Sequence, residues 1–400
     1  MKKLAHYNRV VICVCLFSIV TFSNIYWLQP LLPVLQEAFH VSSLEANLAM
    51  SAPLFGMGLG LLFFASLSDA IGRCKVMLGG TAFGLLVSLV LPLAENYHVF
   101  LSLRFLQGVF LAVCPALAVP LMSEELRKNW FASAVGLYVA SNTIGGICSR
   151  LMGGLSAELL GNWAYAGYMI AGISVVLYGI IYYLLPAQRH FKPAPLKVGK
   201  CLKAYVYHFK NPQLVVLYLF IGVAFGTFVN LTNYMMMVLS DYPYHLPSDI
   251  RSLMFLTLLG GTTSSSLAGQ FAKKYSPIAG VAFGAIIMLL ANVLMSWSNI
   301  STLVVGMVMV SVGFFFCHAQ ASTLVGRKAT KSKGSAQALY SLFYYSGASV
   351  GVFFLEPFYQ AWGWQGILIA TRIALAMCIL LVIIYQWIKI YKDNHSAAMP

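Results

Sequence analysis

The chain is 400 residues long, 60% hydrophobic and only 9% charged, with a mean hydropathy of +0.80. That balance lies far from the composition of soluble globular domains, so a water-soluble enzyme or binding module is excluded and a polytopic membrane protein is indicated. The net charge of +14 would point to nucleic acid only if the bases gathered in one place, and instead they recur at alternate loops.

A helix crosses the roughly 30 Å hydrocarbon core with about 20 apolar residues. Twelve such stretches are predicted, at 10–29, 46–66, 77–95, 99–121, 131–157 and 164–185, then at 213–237, 251–271, 277–297, 301–323, 334–357 and 365–388. The first follows Met1-Lys2-Lys3 and looks briefly like a secretory leader. It is long, no small-x-small cleavage pattern follows it, and Tyr26-Trp27 reads as an interfacial anchor, so a retained helix is predicted. Asn24 and Gln29 give this span polar groups. After the second span comes the island Ser66-Leu67-Ser68-Asp69-Ala70-Ile71-Gly72-Arg73-Cys74-Lys75. Asp69 and Arg73, four residues apart, can bridge neighbouring helix ends, and Gly72 allows a turn that a Cβ resists. A gating latch of Asp69, Gly72 and Arg73 is therefore predicted, with a solvated turn as the plainer alternative.

Arg104 and Gln107 lie within the fourth span. An ionisable group in the bilayer costs from about 2.5 kcal/mol upward, which makes Arg104 a candidate for holding an anion or relaying protonation. The alternative is a structural cation bonded to carbonyls of the first span. Asn142 stands in the fifth span, beside small residues that permit close helix approach. Pro186 to Pro212 is the longest polar segment, and its stretch from Leu196 to Lys210 suits either an amphipathic helix on anionic lipid or a solvated tether. Six spans lie on either side, so the domains are read as 1–185, an N-terminal six-helix bundle, 186–212, a cytoplasmic linker, and 213–400, a C-terminal six-helix bundle. A trace of duplication supports this, since Gly136-Leu137-Tyr138 through Gly145 aligns with Ala338-Leu339-Tyr340 through Gly347 at one constant offset.

In the second half Asn230 and Asn233 fall in the seventh span, and His318 and Gln320 in the tenth. A histidine can exchange a proton near neutral pH, although a lone one on an apolar helix is more often a satisfied core residue. No Asp or Glu is placed at the centre of any span. Glu37, Glu45, Glu124, Glu125 and Glu356 are peripheral, so coupling is expected at His318 or at a rim carboxylate such as Glu356, or is absent. With Tyr26, Tyr234, Tyr344 and Tyr345, the neutral polar groups suit an amphipathic solute, while helix-to-helix hydrogen bonding explains any single Asn equally well. The eight cysteines form no CxxC pair and no metal-ligand spacing, so neither disulfide framework nor metal site is expected.

With an inside N-terminus, Lys2, Lys3, Arg9, Arg73, Lys75, Arg127, Lys128, Arg189, the lysines from Lys192 to Lys210, Lys273, Lys274, Arg327, Lys328, Lys331, Lys333, Lys389 and Lys392 are all cytoplasmic. Only Arg104, Arg150, Arg251 and Arg372 fall elsewhere. This alternation predicts that both termini are cytoplasmic and that no nucleic acid is bound.

Leu67-Ser68-Asp69-Ala70-Ile71-Gly72-Arg73 resembles the loop signature of the major facilitator superfamily, and Arg104-Phe105-Leu106-Gln107-Gly108 resembles its second motif. Tyr26 through Pro33, Ser123-Glu124-Glu125, Ser141 through Gly146, Arg189-His190-Phe191, Gly313 through Gly326 and Lys333 through Tyr345 are similar to the YnfM-type permeases, grouped with arabinose-efflux-like drug/proton antiporters. The resemblance covers nearly the whole chain. It implies an all-α membrane protein of twelve helices in two six-helix bundles, alternating access, and export of a small organic compound from the cytoplasm across the inner membrane. One departure weakens export: at the fifth-helix antiporter motif, Gly146 stands at the proline position and Ser149-Arg150 replaces the closing glycines. The expectation is thus proton-coupled efflux of an amphipathic compound by a monomer that uses no cofactor beyond a proton gradient and whose partners are its small-molecule substrate and the lipid bilayer. Uptake, facilitated transport and a non-transporting sensor are the alternatives. Enzymatic activity is not expected, because no intramembrane carboxylate pair, His-rich cluster or nucleophile motif is present.

Overall fold

In the computed structural model of the protein, which describes residues 2–189, 191 and 198–397, all regular structure among the described residues is helical. Two compact units form. One takes the described part of Met1–Lys197 together with Met235–Phe255, and the other takes Val198–Tyr234 and the described part of Leu256–Pro400.

The first unit opens with α1 (Lys2–Tyr26), followed by a 3-10 turn over Gln29–Leu31 and the short α2 (Leu32–Phe39). Helix α3 (Ser43–Ile71) starts on a capping box in which Glu45 accepts from the Ser42 amide at 2.8 Å while its own amide donates to the Ser42 hydroxyl. It stops at Gly72, whose φ of +102° breaks the chain cleanly before α4 (Arg73–Val90). Helices α5 (Tyr97–Leu111) and α6 (Val113–Glu125) together make one pass, and α7 (Lys128–Leu160) and α8 (Trp163–Leu184) complete six. Glycine sets the closest approach: a Cβ on Gly108 of α5 would lie 1.9 Å from the Pro53 carbonyl of α3. Lipid chains give no hydrophobic force between helices, so such backbone approach is what holds a membrane bundle together.

After the predicted linker, of which residues 190 and 192–197 lie outside the described residues, α9 (Val198–Phe209) leads into α10 (Pro212–Ser240). Helix α10 belongs to the second unit up to Tyr234, and its continuation, with the short α11 (Ser248–Ser252), belongs to the first. The second unit resumes with α12 (Leu258–Lys274), α13 (Pro277–Leu294), α14 (Ile300–Lys328) and α15 (Lys333–Ala397).

Among the described residues ten helices are long and apolar enough to cross a membrane, the last of them the 59-residue run Lys333–Tyr391. A helix of that length would reach about 90 Å, three times the hydrocarbon thickness. It is broken at Trp362 and at Gly363, whose φ is +54°, and so makes two passes. A twelfth pass is α12, which is too short and too polar to stand out by apolarity. Its Thr262, Thr263, Ser264 and Ser265 hydroxyls each donate to a carbonyl three residues back, at 2.7 to 2.9 Å. With those hydroxyls satisfied inside the helix, a polar segment can sit where water is absent.

Candidate functional site

Arg104 is fully buried in the first unit. Its Nε donates to the Ala49 carbonyl at 2.9 Å, Nη1 to the Asn24 carbonyl at 3.0 Å and to the Gln107 side chain, and Nη2 to the Ile25 carbonyl at 2.8 Å. Each backbone target has a local reason to need a donor. Pro53, four residues after Ala49, has no N–H to return to that carbonyl. Asn24 and Ile25 lie in the last turn of α1, where a helix runs out of amides. The guanidinium therefore ties α1 and α3 to α5. Gln107 carries the network on through Ser88, which accepts from its Nε2 at 2.7 Å, and the Asn24 amide joins α1 to α8 by donating to Ser174 Oγ at 2.8 Å. This is the geometry of the structural alternative drawn for Arg104.

At one end of the same unit, Arg73 collects several helix ends. Its Nη2 lies 2.6 Å from Glu124 and 3.1 Å from Asp69, Nη1 donates to Ser68 Oγ at 3.0 Å, and its amide donates to Gln188 at 3.1 Å. Gln188 in turn donates to Glu124 at 2.9 Å. Beside this cluster the buried Glu125 accepts from the Arg189 amide at 2.8 Å and faces His6 Nε2 at 2.9 Å. The loop signature thus bridges the ends of α3, α4 and α6 and the segment after α8, with Glu124 as the central acceptor.

Asn142 is half-buried on α7 and accepts from Ser18 of α1. One turn or two further along α7 is a residue that motif reading noticed only as a departure. Arg150 donates to Gln29 Oε1 at 2.7 Å and to the Gly146 carbonyl at 2.7 Å, and its guanidinium lies 4.0 Å from the centroid of the Tyr26 ring. It is 7% exposed, a cation held against an aromatic face inside the bundle.

In the second unit, Asn230 donates to the Gly226 and Ala348 carbonyls at 2.8 and 2.9 Å, and Gln320 to the Ala268 carbonyl at 2.6 Å. Both are buried helix ties, and Asn233 is fully buried too. His318 differs. It is half-buried, and its Nδ1 lies 3.0 Å from the Tyr340 hydroxyl, which leaves Nε2 without a protein partner among the described residues. Around it stand Phe314, Tyr340 and Tyr344, with ring centroids 5.2 to 5.8 Å away, and Tyr344 stacks on Phe225. Phe314 and Tyr340 are buried, so the part open to a partly apolar ligand is the half-buried pair of the Tyr344 ring and the His318 imidazole.

Near the far end of the first half of α15, Glu356 is only 8% exposed. Tyr234 of α10 donates to one carboxylate oxygen and Gln360 to the other at 2.7 Å. Among the described residues Glu125 and Glu356 are the acids that are buried, the first closing α6 and the second six residues before the break in α15. The predicted residues therefore do not meet at one point. Asn24, Arg104 and Gln107 form one network, Asn142 meets α1 at Ser18, and in the second unit His318 meets Tyr340 while Asn230 and Gln320 bond backbone carbonyls.

Comparison with known proteins places this architecture. The sequence profile described as Major Facilitator Superfamily matches residues 13–352. The uncharacterised MFS-type transporter YybF of Bacillus subtilis is 32% identical, the match covering 95% of this chain and 92% of that one. The inner membrane transport protein YnfM of Escherichia coli is 30% identical over 94% of this chain and 90% of its own length. Among solved structures, the nucleoside transporter NupG superposes with a TM-score of 0.77 at 13% identity, covering 94% of this chain and 99% of that one. A bacterial homologue of the human lysosomal transporter Spinster gives 0.71 at 14% identity, covering 95% of each chain. The first two are similar in sequence and the last two in fold, and with the matched profile spanning most of the residues, this chain belongs to the major facilitator superfamily of membrane transporters.

Proposed function

We propose that the protein exports a small amphipathic organic compound across the cytoplasmic membrane in exchange for protons, by alternating access. The observation that carries this reading is the half-buried pair His318 and Tyr344, backed by the buried rings of Phe314 and Tyr340, with His318 Nε2 lacking a protein partner among the described residues. Rings supply apolar contact area and one imidazole nitrogen supplies a directed hydrogen bond, which is the chemistry that selects an amphipathic molecule. Glu356 carries the exchanged proton. It is one of the two buried acids among the described residues, six residues before the break at Trp362, and an ionisable group is retained in a membrane pass only at a cost of a few kcal/mol. Tyr234 and Gln360 donate to its ionised form, and on protonation the carboxyl group must find an acceptor, so the two states hold α10 and α15 differently. Arg104 serves as a positioning residue. The alternation of basic loops supports an inner-membrane location with both termini cytoplasmic, and six passes on each side of the linker support the division at 186–212.

A second reading, uptake of a small solute, is favoured by Arg150, which occupies the closing-glycine position of the antiporter motif and packs over Tyr26. Liposomes holding the purified protein, a pH gradient and an interior pH dye separate the two. A panel of amphiphiles is added outside. Export coupled to protons predicts dye movement with at least one amphiphile, lost in Glu356→Gln, and a raised half-saturating concentration in His318→Ala. No dye response anywhere, with labelled solute entering without a gradient, would replace antiport by facilitated uptake.

A further inference from the structure

Around the α9–α10 and α14–α15 junctions the second unit gathers bases within stretches of chain that hold no acid. From residue 159 to 240, and again from 250 to 355, the chain contains no Asp or Glu. Yet Lys203, Lys210, Arg327, Lys328, Lys331 and Lys333 gather where α9 meets α10 and where α14 gives way to α15. In the first unit the corresponding kind of helix junction is neutralised internally, since Arg73 meets Asp69 and Glu124, and His6 meets Glu125. Neither Lys210 nor Lys328 has a carboxylate within ion-pair distance among the described residues, and both line one open depression of about 220 Å³. Tyr207, Asn211 and Thr330 line the same depression.

Helix α9 adds an apolar counterpart. Lys203, Val206, Tyr207 and Lys210 follow the spacing i, i+3, i+4, i+7, so they form one stripe, and they border an adjoining space of about 400 Å³. Val206 is 59% and Phe209 46% exposed. The helix is held in place, because His208 is buried with its Nε2 3.2 Å from the Ser332 carbonyl and the Tyr207 hydroxyl is 3.4 Å from Thr330. A fixed pair of lysines beside an exposed apolar stripe matches a molecule with an anionic head and an acyl tail.

We propose that this depression binds the phosphate of an anionic phospholipid between Lys210 and Lys328, with Thr330 as a further donor and an acyl chain along Val206 and Tyr207. Like charges held side by side at a membrane surface are relieved by such a headgroup, and each lysine adds attraction of its own. The site is separate from the aromatic surface around His318, so it stands whether or not the transport reading does.

The test is the thermal unfolding of the purified full chain, followed by tryptophan fluorescence in zwitterionic micelles titrated with phosphatidylglycerol, phosphatidylcholine or inorganic phosphate. Phosphatidylglycerol should raise the midpoint saturably, and the other two should not. Lys210→Gln/Lys328→Gln should weaken the apparent lipid affinity roughly 30-fold, and Lys210→Gln alone, at an exposed position that folding tolerates, roughly fivefold. Lys75→Gln/Lys128→Gln, which removes the same charge from the first unit, should leave the affinity unchanged. An undiminished response in the Lys210 variants, an equal loss in the Lys75/Lys128 control, or an equal rise with inorganic phosphate would each overturn the proposal.

Discussion

Replacing Arg104 by Gln distinguishes a clamp from a ligand-binding cation. The guanidinium serves three backbone carbonyls, Ala49, Asn24 and Ile25, and the Gln107 side-chain oxygen, and glutamine reaches at most one of these four, which leaves three. Leaving a buried acceptor without a donor costs about 1–3 kcal/mol. Taking the low end for each of three, because removal of a buried charge returns part of its desolvation penalty, the variant should lose about 3 kcal/mol. For a unit of this size 1 kcal/mol shifts the melting midpoint by about 2–4 °C, so a fall of roughly 6–12 °C is expected. Tryptophan fluorescence of the purified variant in detergent reads the midpoint, and the liposome assay reads the half-saturating solute concentration of the fraction that remains folded. The clamp predicts a lowered midpoint with the half-saturating concentration within about twofold of the parent. An unchanged midpoint with solute binding lost would refute the reasoning and return Arg104 to the substrate path.

Gly108→Val should yield almost no folded protein in a detergent gel-filtration profile, because even a Cβ there falls 1.9 Å from the Pro53 carbonyl, whereas Gly136→Ala, with nothing within 4 Å, should be neutral. At the loop signature, Glu124→Gln should lower the melting midpoint more than Asp69→Asn. Glu124 accepts from both Arg73 and Gln188, while the Asp69 side chain is 56% exposed and its pairing is worth under about 1 kcal/mol. If Asp69→Asn nevertheless slows flux severalfold at an unchanged midpoint, the loop gates transport as well as bracing the helices. Tyr344→Leu should raise the half-saturating solute concentration severalfold while leaving Glu356-dependent proton movement intact, since the ring faces His318 and lies outside the carboxylate cluster.

The sequence carried the passes well, because crossing lipid imposes a length that few apolar residues can hide. It even located the eighth, whose Thr262 to Ser265 run dilutes the apolar signal, since the flanking loops are short. The break at Gly363 was visible as the gap between the last two spans, and the turn at Gly72 as a glycine in a polar island. Partnerships were harder. His6 and Glu125 are 119 residues apart, and Tyr234 and Glu356 are 122 apart. Nothing local in either segment announces the other, so Glu356 reads as a rim residue until packing buries it. Arg150 is a clearer miss. A cation within a span was visible, but the motif comparison marked it only as a missing glycine, and the aromatic face that holds it comes from α1.

One physical rule sorts the polar residues that lie inside the spans. Without water, every backbone carbonyl that loses its amide needs a donor from elsewhere. Arg104 answers Pro53 and the end of α1, while Asn230 and Gln320 tie neighbouring helices by adding a second donor to the Ala348 and Ala268 carbonyls. These side chains are explained once their carbonyls are named, and their burial follows. His318 and Glu356 answer no such need. The imidazole keeps one nitrogen without a partner among the described residues, beside the half-buried Tyr344 ring, and the carboxylate accepts from a phenol and an amide. Replacing a whole buried polar set, donors and acceptor together, by apolar groups of similar shape is often neutral or stabilising, whereas removing one partner alone is costly. Their retention therefore has to be sought in what they do during transport, and the decisive comparison is between stability and flux. His318→Phe should leave the melting midpoint level while removing solute selectivity, the reverse of what Arg104→Gln does, and Glu356→Gln, which keeps an acceptor for Tyr234, should remove proton exchange with a smaller fall in midpoint than Glu356→Leu.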